Sequence, residues 1–252
     1  MDPSPRPDLS VILPTFREAD SLPRLVPRVA EEAEAAGFCC ELIVVDDASP
    51  DGTAQVAREL AASWPVVVLE RRGERGLATA VIAGIERARG EICLVMDADG
   101  SHPPEIVPRL AGAVAEGRAE VAVGSRLRPG GGFDGWPLWG RIKSRFAAFF
   151  ARGLTSMSDP TTGLMAARRE LLSRLELDPV GWKIVLEVVV KAAPAPFVEI
   201  PIVFGPRLAG RSKQNLTVFL QYLRHCSRLY FYRLRYRRPR SLARAAGGEE
   251  GR

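Results

Sequence analysis

Residues 92–105 read ICLVMDADGSHPPE, in which five apolar residues are followed by two aspartates one position apart. An uncharged run of this length, bounded by polar residues, predicts a buried β-strand. Two carboxylates at the end of a buried strand need a compensating cation, because charge is costly to hold away from water. Carboxylate oxygens are hard ligands that favour Mg²⁺ or Mn²⁺. Asp97 and Asp99 therefore predict a divalent metal site, with a solvated turn as the alternative.

The sequence around this stretch alternates short apolar runs with helix-like segments. Predicted strands cover 9–13, 41–45, 66–69, 91–96 and 120–123, and predicted helices cover 20–36, 53–62, 76–89 and 103–116. The first of these helices is capped by Asp20 or Ser21, and Gly90 is predicted to end the third. This alternation predicts an α/β fold, a mostly parallel sheet with helices on both faces.

Polar residues gather at the predicted carboxyl ends of the strands, where ligands bind in such sheets. These ends carry Pro14, Asp46, Asp47, Asp97 and Asp99. Their common position favours the metal interpretation over a solvated turn. Because a carboxylate accepts hydrogen bonds from ring N–H groups and sugar hydroxyls, Asp47 is a candidate for recognition of a base or ribose. The alternative for Asp46 and Asp47 is a pair of loop or helix-capping acids.

The regular alternation ends at Gly124. Beyond it we predict a mobile glycine-rich loop at 128–135, helices at 141–152 and 180–192, a strand at 197–204, a loop at 205–214 and an amphipathic helix at 216–236. Residues 1–8 and 237–252 are predicted to be disordered. The predicted domain organisation is thus one catalytic domain over 9–215, followed by the helix and a basic tail.

Composition and charge narrow the function classes. The net charge is +5, but residues 224–252 carry nine Arg and two Glu, a net +7, so the remainder is close to neutral at −2. A basic tail suits anionic lipid headgroups or nucleic acid, yet the body has no groove-reading motif. No apolar run of about 18 residues and no signal-peptide core appears, so we expect a cytoplasmic protein. The four cysteines show no disulfide or metal spacing and are expected to be reduced.

Nucleotide-binding motifs of the common kinds are missing from the sequence. No Gly-x-Gly-x-x-Gly follows the first strand, and residues 210–213 lack the first glycine of a P-loop. Basic residues instead gather in the second half of the chain, where guanidinium groups suit phosphate oxygens. They are Arg126, Arg141, Arg207, Arg211 and Lys213. If they converge they form an anion site; the alternative is that each is a solvated surface charge.

Seven stretches, taken in order, resemble the inverting family-2 glycosyltransferases of the dolichol-phosphate mannose synthase group. They are VILPTFRE (11–18), VVDDASPDGT (44–53), MDADGSHPPE (96–105), GSR (124–126), SDPTTG (158–163), GWK (181–183) and RLAGRSK (207–213). The resemblance covers about residues 9–213. It implies a GT-A fold, GDP-mannose as donor, a polyprenyl or dolichyl phosphate as acceptor, and Mg²⁺ or Mn²⁺.

The resemblance also implies roles for individual residues. It assigns the nucleotide sugar to Pro14, Thr15, Glu18, Val45, Asp47 and Asp97, the metal to Asp97 and Asp99, and the acceptor phosphate to Arg126, Arg141, Ser144, Arg207 and Lys213. It makes Asp97, Asp99 and Arg126 the catalytic residues. Many relatives have Gln at the position of Ser101, which is therefore a weak third metal ligand that water can replace. Relatives also tend to have a basic pair at Gly140-Arg141, so the phosphate grip here rests more on Arg141 and Arg126.

The membrane connection depends on residues 216–236. Apolar side chains recur at Phe219, Leu220, Leu223, Cys226, Tyr230 and Leu234, with Gln221, Arg224, His225 and Arg228 on the other face. Such a helix packs on its own domain, lies in the membrane interface, or docks to a small membrane-anchor subunit. We expect the protein to be peripheral at the cytoplasmic face. Two rival functions are transfer from a UDP-sugar such as UDP-glucose, and non-catalytic binding at the membrane, which Ser101 and Gly140 make conceivable.

Overall fold

The computed structural model describes residues 6–135, 146–178, 183–207 and 216–236. Within these ranges a seven-stranded sheet forms the centre of the molecule. Its strands are β1 (Leu9–Thr15), β2 (Cys40–Asp46), β3 (Val66–Glu70), β4 (Ile92–Val95), β5 (Val121–Ser125), β7 (Met165–Arg168) and β8 (Phe197–Pro201). Their order across the sheet is β3-β2-β1-β4-β7-β5-β8. All neighbours pair in parallel except β7, which is antiparallel to both β4 and β5.

Helices cover both faces of this sheet, which is why its central strands are apolar almost throughout. The helices are α1 (Leu22–Ala35), α2 (Thr53–Leu60), α3 (Leu77–Arg87), α4 (Val107–Ala115), α5 (146–151), α6 (Arg169–Ser173), α7 (Ile184–Ala192) and α8 (Leu216–Tyr236). One apolar core packs α1, α2 and α4 on one face of the sheet. A second core packs α3, α5, α6, α7 and α8 on the opposite face. The predicted α/β class with two covered faces is confirmed.

The second half of the chain differs from the prediction in three places. The glycine-rich loop at 128–135 contains a short strand, β6 (Gly132–Phe133), which pairs with β9 (Val203–Phe204) in a separate sheet. The single strand predicted at 197–204 is therefore two strands, β8 and β9, divided at Ile202. The backbone of Ile202 bonds in both directions, donating to Ser125 O at 3.0 Å and accepting from Gly132 N at 2.9 Å. Strand β7 and helix α6 were not predicted.

Gly90 does not end α3, contrary to the prediction. The helix ends at Arg87, and Ala88 after it is already extended. A Cβ atom on Gly90 would lie 2.7 Å from the backbone nitrogen of Ser10. Glycine is needed here because the segment after α3 runs against the start of β1 with no room for a side chain.

Helix α8 packs on its own domain through a face that differs from the predicted stripe. Tyr222, Cys226 and Leu229 are buried in the second core, and the Tyr222 hydroxyl donates to Ala147 O at 2.7 Å. His225, predicted on the polar face, is buried with its Nε2 3.9 Å from Glu187 Oε2. Among the described residues, no helix combines the length and apolarity needed to cross a bilayer.

Candidate active site

The carboxyl ends of β1, β2 and β4 lie side by side at one edge of the sheet, because these strands are parallel neighbours. Each is followed closely by a residue with positive φ: Arg17 at 66°, Ala48 at 50° and Gly100 at 76°. Of the three, Arg17 and Ala48 carry a Cβ, which makes such angles uncommon, and strained backbone of this kind is concentrated at functional sites. The three strands thus leave the sheet through tight turns that carry the predicted polar residues.

Asp97 and Asp99 lie together at this edge, as the sequence predicted. Asp99 is buried, and its Oδ1 accepts hydrogen bonds from the backbone nitrogen of Ser101 at 3.0 Å and from the Ser101 hydroxyl. Its Oδ2 lies 3.0 Å from Arg207 Nε. Ser101 therefore fixes the orientation of the Asp99 carboxylate through two hydrogen bonds. The role of the Ser101 hydroxyl as a metal ligand stays a prediction.

Asp97 is the more accessible of the two carboxylates. Its Oδ2 lies 3.3 Å from His102 Nε2, and a Cβ on Gly163 would come within 3.1 Å of both carboxylate oxygens. Burial by itself raises the pKa of Asp97, but the neighbouring His102, Lys183 and Arg207 more than offset this and hold that pKa below its usual value. Asp97 is therefore an anion at neutral pH.

Glu18 adds a third acidic group to this edge. Its backbone nitrogen donates to Thr53 Oγ1 at 2.9 Å, and its carboxylate accepts from the Ser21 hydroxyl at 2.9 Å. Burial raises the pKa of Glu18 to about 7; the Ser21 hydrogen bond opposes this shift, and the charge of Asp99 adds to it. We call Glu18, Asp97 and Asp99 the acidic edge.

The acidic edge fits a divalent ion that is completed by substrate oxygens. In the described part of the chain, no three His, Cys, Asp or Glu side chains are arranged to hold a metal by themselves. Mg²⁺ characteristically takes one or two carboxylates together with substrate phosphates and water, which the pair Asp97 and Asp99 supplies. Both oxygens of Asp99 are engaged in this structure, Oδ1 by Ser101 and Oδ2 by Arg207, so its role as a metal ligand stays a prediction.

The residues predicted at the nucleotide lie beside the acidic edge. Pro14 pairs in register with Val45, and the Thr15 hydroxyl donates to Val45 O at 3.2 Å. The Val45 side chain is fully buried in the core, so only its backbone can face a ligand. Asp46 is also buried and accepts from Thr15 and from Ser49 N, which matches the alternative of a loop acid.

Asp47 is held by the protein through both carboxylate oxygens. Arg71 Nε donates to Oδ1 at 2.8 Å, and the Gly76 nitrogen donates to Oδ2 at 2.8 Å. These bonds tie the end of β2 to the start of α3. A carboxylate oxygen accepts more than one hydrogen bond, so recognition of a base or ribose by Asp47 stays a prediction.

Arg126 is buried in an ion pair that the sequence did not reveal. Its Nε and Nη2 donate to the two oxygens of Asp159 at 2.7 and 2.8 Å, and Nη2 also donates to Thr161 Oγ1 at 2.8 Å. The guanidinium lies over the neighbouring rings of Phe133 and Phe204, 5.3 Å from each centroid. Contact between Arg126 and an acceptor phosphate stays a prediction; among the described residues, none accepts a hydrogen bond from its Nη1.

Lys183 was given no role by the sequence but belongs to the same network. Its Nζ donates to Thr161 O at 2.6 Å. Burial, and to a smaller extent the charge of Arg126, lowers the pKa of Lys183 to about 8, against the opposing effect of Asp97 and Asp159. Asp159, Thr161 and Gly163 belong to the SDPTTG stretch and Lys183 to the GWK stretch, so the motifs were visible but their contacts were not.

Four other predicted residues divide into two groups. Arg207 lies at the acidic edge, where it pairs with Asp99. Arg141, Ser144 and Lys213 lie outside the described residues. The structure therefore brings together Asp97, Asp99, Glu18 and Arg207, and it places Arg126 in the adjoining network of Asp159 and Lys183.

The sequence is similar to known proteins over most of its length. Residues 10–176 match the sequence profile described as Glycosyl transferase family 2. The chain is 39% identical over 225 residues to a dolichol-phosphate mannosyltransferase of Pyrococcus furiosus, which covers 88% of this chain and 63% of the relative. It is 40% identical over 217 residues to a polyprenol monophosphomannose synthase of Mycolicibacterium smegmatis, covering 81% and 80%.

A solved structure has the same fold at lower sequence identity. It is the glucosyl-3-phosphoglycerate synthase of Mycobacterium tuberculosis in complex with Mn²⁺, UDP-glucose and phosphoglyceric acid. The TM-score is 0.64 at 20% identity, over 90% of this chain and 79% of that one. This similarity supports the predicted GT-A architecture.

Proposed function

Because this chain belongs to glycosyl transferase family 2, we propose that it transfers mannose from GDP-mannose to a polyprenyl or dolichyl phosphate. The names of the two sequence relatives support mannose as the sugar and a polyprenyl phosphate as the acceptor. The observation that carries the proposal is the meeting of Asp97, Asp99 and Arg207 at one edge of the sheet. Such an edge supplies both a metal site for a diphosphate and a guanidinium for a phosphate.

The chemistry of the acceptor explains why no strong general base is needed. A phosphate monoester has a second pKa of about 6 and is largely dianionic at pH 7. Its oxygen attacks the anomeric carbon directly, a bond from that oxygen to the carbon forms, and the bond to the departing GDP breaks. One displacement of this kind inverts the configuration. The enzyme's contribution is to position the two substrates and to stabilise charge.

The residues of this chain divide that work. A divalent ion held by Asp97 and Asp99 would neutralise negative charge on the departing diphosphate. Arg207 presents a planar fork of N–H donors that matches phosphate oxygens, and its place beside Asp99 lets it act between donor and acceptor. Arg126 acts as a positioning residue, because its pair with Asp159 orders the segment that brings Gly163 against Asp97.

An assay with radiolabelled donors tests the proposed reaction. Purified protein, Mg²⁺ or Mn²⁺ and a short polyprenyl phosphate in detergent are expected to yield a labelled lipid product with GDP-mannose, and much less with UDP-glucose. The product is expected to be the β-anomer, because attack inverts the α-linked donor. Preferential use of UDP-glucose would establish the rival donor, and no transfer from either would support the non-catalytic alternative.

We also propose that the protein is peripheral at the cytoplasmic face of the membrane, where its acceptor lipid resides. Large apolar side chains with more than half their surface exposed are concentrated on α5 and α8: Phe146, Phe149, Leu220, Phe231 and Leu234. We call these five the apolar patch. The two helices are neighbours, joined by hydrogen bonds from Tyr222 to Ala147 O and from Tyr230 to Phe150 O.

The charges around the apolar patch suit an anionic lipid surface. In the described part of α8 there is no Asp or Glu, and Arg224 and Arg235 are exposed; Arg228 is also exposed but pairs with Asp178. Exposed apolar groups surrounded by arginine enter the interface between headgroups and acyl chains. A buried face on the protein and an exposed apolar stripe on the other side together explain why α8 is apolar at so many positions. A membrane-anchor subunit bound to this patch stays a prediction from the resemblance.

Substitutions on α8 that leave its buried face intact test membrane binding. The double variant Phe231→Ser/Leu234→Ser is expected to lower partitioning onto vesicles with anionic lipid at least tenfold, since each large apolar side chain contributes about 1.5–3 kcal/mol when fully buried. Val203→Ser removes a similarly exposed apolar residue on β9 and should leave partitioning unchanged. Unchanged flotation of the double variant at low salt would contradict the proposal. Deleting the whole of α8 is less informative because it would uncover the second core.

A further inference from the structure

Three arginines line an open surface cavity at the edge of the sheet opposite to the acidic edge. The cavity has a volume of about 380 Å³ and is lined by Arg6, Pro7, Ala88, Arg89 and Arg169. It lies where β1 and β4 begin, whereas Asp97 and Asp99 follow the end of β4. The length of a strand such as β1 therefore separates the two sites, about 20 Å at 3.3 Å per residue. We call it the arginine cavity.

Each of the three guanidinium groups is held by the protein through its Nε atom. Arg6 Nε donates to Arg89 O at 3.3 Å, and Arg169 Nε donates to Gly90 O at 3.0 Å. Arg89 Nε donates to Glu41 Oε2 at 3.0 Å. Among the described residues, none accepts a hydrogen bond from the terminal Nη atoms of these arginines. The fold thus orients three guanidinium groups through their Nε atoms. Within the described residues, their terminal N–H groups have no acceptor and can face a ligand.

The backbone that orients these groups is tightly packed. Gly90 approaches the start of β1 so closely that a Cβ on it would lie 2.7 Å from Ser10 N, and Gly90 N donates to the Ser10 hydroxyl at 2.9 Å. The carbonyls of Arg89 and Gly90, which anchor Arg6 and Arg169, are therefore fixed against β1. Packing of the fold thus fixes the carbonyl acceptors, whereas the side chains of Arg6 and Arg89 themselves are exposed.

The charge of the arginine cavity is not balanced by the protein around it. Glu41 is buried, and its carboxylate is committed to the Ser10 hydroxyl, to Arg89 N and to Arg89 Nε. It neutralises Arg89. Within the described ranges, Arg6 and Arg169 have no carboxylate partner at ion-pair distance. Two positive charges consequently remain at the cavity, where like charges repel unless an anion joins them.

We propose that the arginine cavity binds a small soluble molecule that carries a phosphate or diphosphate group, at a site separate from the proposed transfer reaction. Guanidinium forks bind phosphoryl oxygens in bidentate fashion, which a point charge such as lysine does not. The cavity volume lies at the small end of the range for ligand pockets, so a compact phosphorylated metabolite fits it better than an extended polymer. The proposal does not depend on the identity of the transferred sugar.

Calorimetric titration with inorganic pyrophosphate tests this site in the full-length protein. EDTA is included so that no metal links the probe to the acidic edge, and ionic strength is kept low. Arg6→Gln/Arg169→Gln is expected to weaken pyrophosphate binding at least tenfold; Arg89 is left in place because its Nε supports the buried Glu41. Arg24→Gln/Arg109→Gln, which removes the same charge from exposed helix positions, should bind like the unmodified protein.

The outcomes separate the arginine cavity from the other sites. Binding that survives Arg207→Gln but is lost in Arg6→Gln/Arg169→Gln supports the proposal. No measurable binding at millimolar pyrophosphate, equal weakening in both double variants, or loss on Arg207→Gln alone would each overturn it. Vesicle flotation provides a further arm: if Arg6→Gln/Arg169→Gln reduces binding to anionic vesicles and leaves pyrophosphate binding intact, the ligand is a lipid headgroup and the soluble-ligand proposal is wrong. Thermal melts confirm that every variant is folded.

Discussion

Replacement of either Asp97 or Asp99 by alanine is expected to abolish sugar transfer and leave the fold intact. Both carboxylates follow β4 at the acidic edge. Removing either one takes away a ligand of the ion that is proposed to balance the charge of the departing diphosphate. Losing electrostatic stabilisation of a transition state on this scale costs on the order of a thousandfold or more in rate. The measurement is the initial rate with radiolabelled GDP-mannose, together with a thermal melt by circular dichroism.

Two controls make this result specific. Glu105→Ala removes a nearby exposed acid that pairs with Arg28 and should retain activity, since it does not face the acidic edge. Chelation by EDTA should abolish sugar transfer by the unmodified protein, and added Mg²⁺ or Mn²⁺ should restore that activity. Full activity of Asp97→Ala or Asp99→Ala in EDTA would refute metal assistance altogether.

The largest effect on stability is expected from Asp159→Ala. This change leaves the Arg126 guanidinium buried against Phe133 and Phe204 with its carboxylate partner removed. Breaking one side of a buried ion pair costs about 3–5 kcal/mol, because the remaining charge is uncompensated. The free energy of unfolding, measured with denaturant and followed by circular dichroism, should fall by that amount. A decrease below about 1 kcal/mol, the value typical of a surface ion pair, would contradict a structural role for the pair.

Two further variants identify the cause of that loss. Glu116→Ala breaks the exposed pair between Glu116 and Arg118 and should change the free energy of unfolding by less than about 0.5 kcal/mol. The double variant Arg126→Met/Asp159→Leu removes both charges. It removes more polar groups than Asp159→Ala, yet it should be less destabilising, because it leaves no buried charge without a partner. The difference measures the penalty of a buried unpaired charge.

The first half of the fold was predictable because its signals are local. Strands β1 to β5 and the helices between them follow apolar runs and helix periods that can be read in windows of a few residues. Strand β7 has only four residues, three of them buried, and adjoins α6 with no turn signal between them. It enters the sheet through pairing with β4 and β5, which are far away in the sequence. Long-range pairing of this kind overrides any local pattern.

The candidate site divides along the same line. Asp97 and Asp99 were predicted because they follow a recognisable strand, and Arg207 because guanidinium suits phosphate. The partner of Arg126 was not predicted, because Asp159 lies 33 positions away in the sequence. Lys183 was equally hidden, since its contact with Thr161 spans 22 positions. Composition and spacing identify which chemistry is present, but only the fold shows which charges neutralise each other.

Strand β7 is synthesised well after β4, its partner in the sheet, and this order affects folding of the chain on the ribosome. Strands β1 to β4 can assemble as soon as they emerge from the ribosome, but the side of β4 that β7 will occupy stays open until residues 165–168 follow. Strand β5 reaches the sheet only through β7 and waits with it. An apolar strand with an unpaired edge invites pairing with another chain. Nascent or prematurely terminated chains are therefore expected to depend on chaperones over this interval.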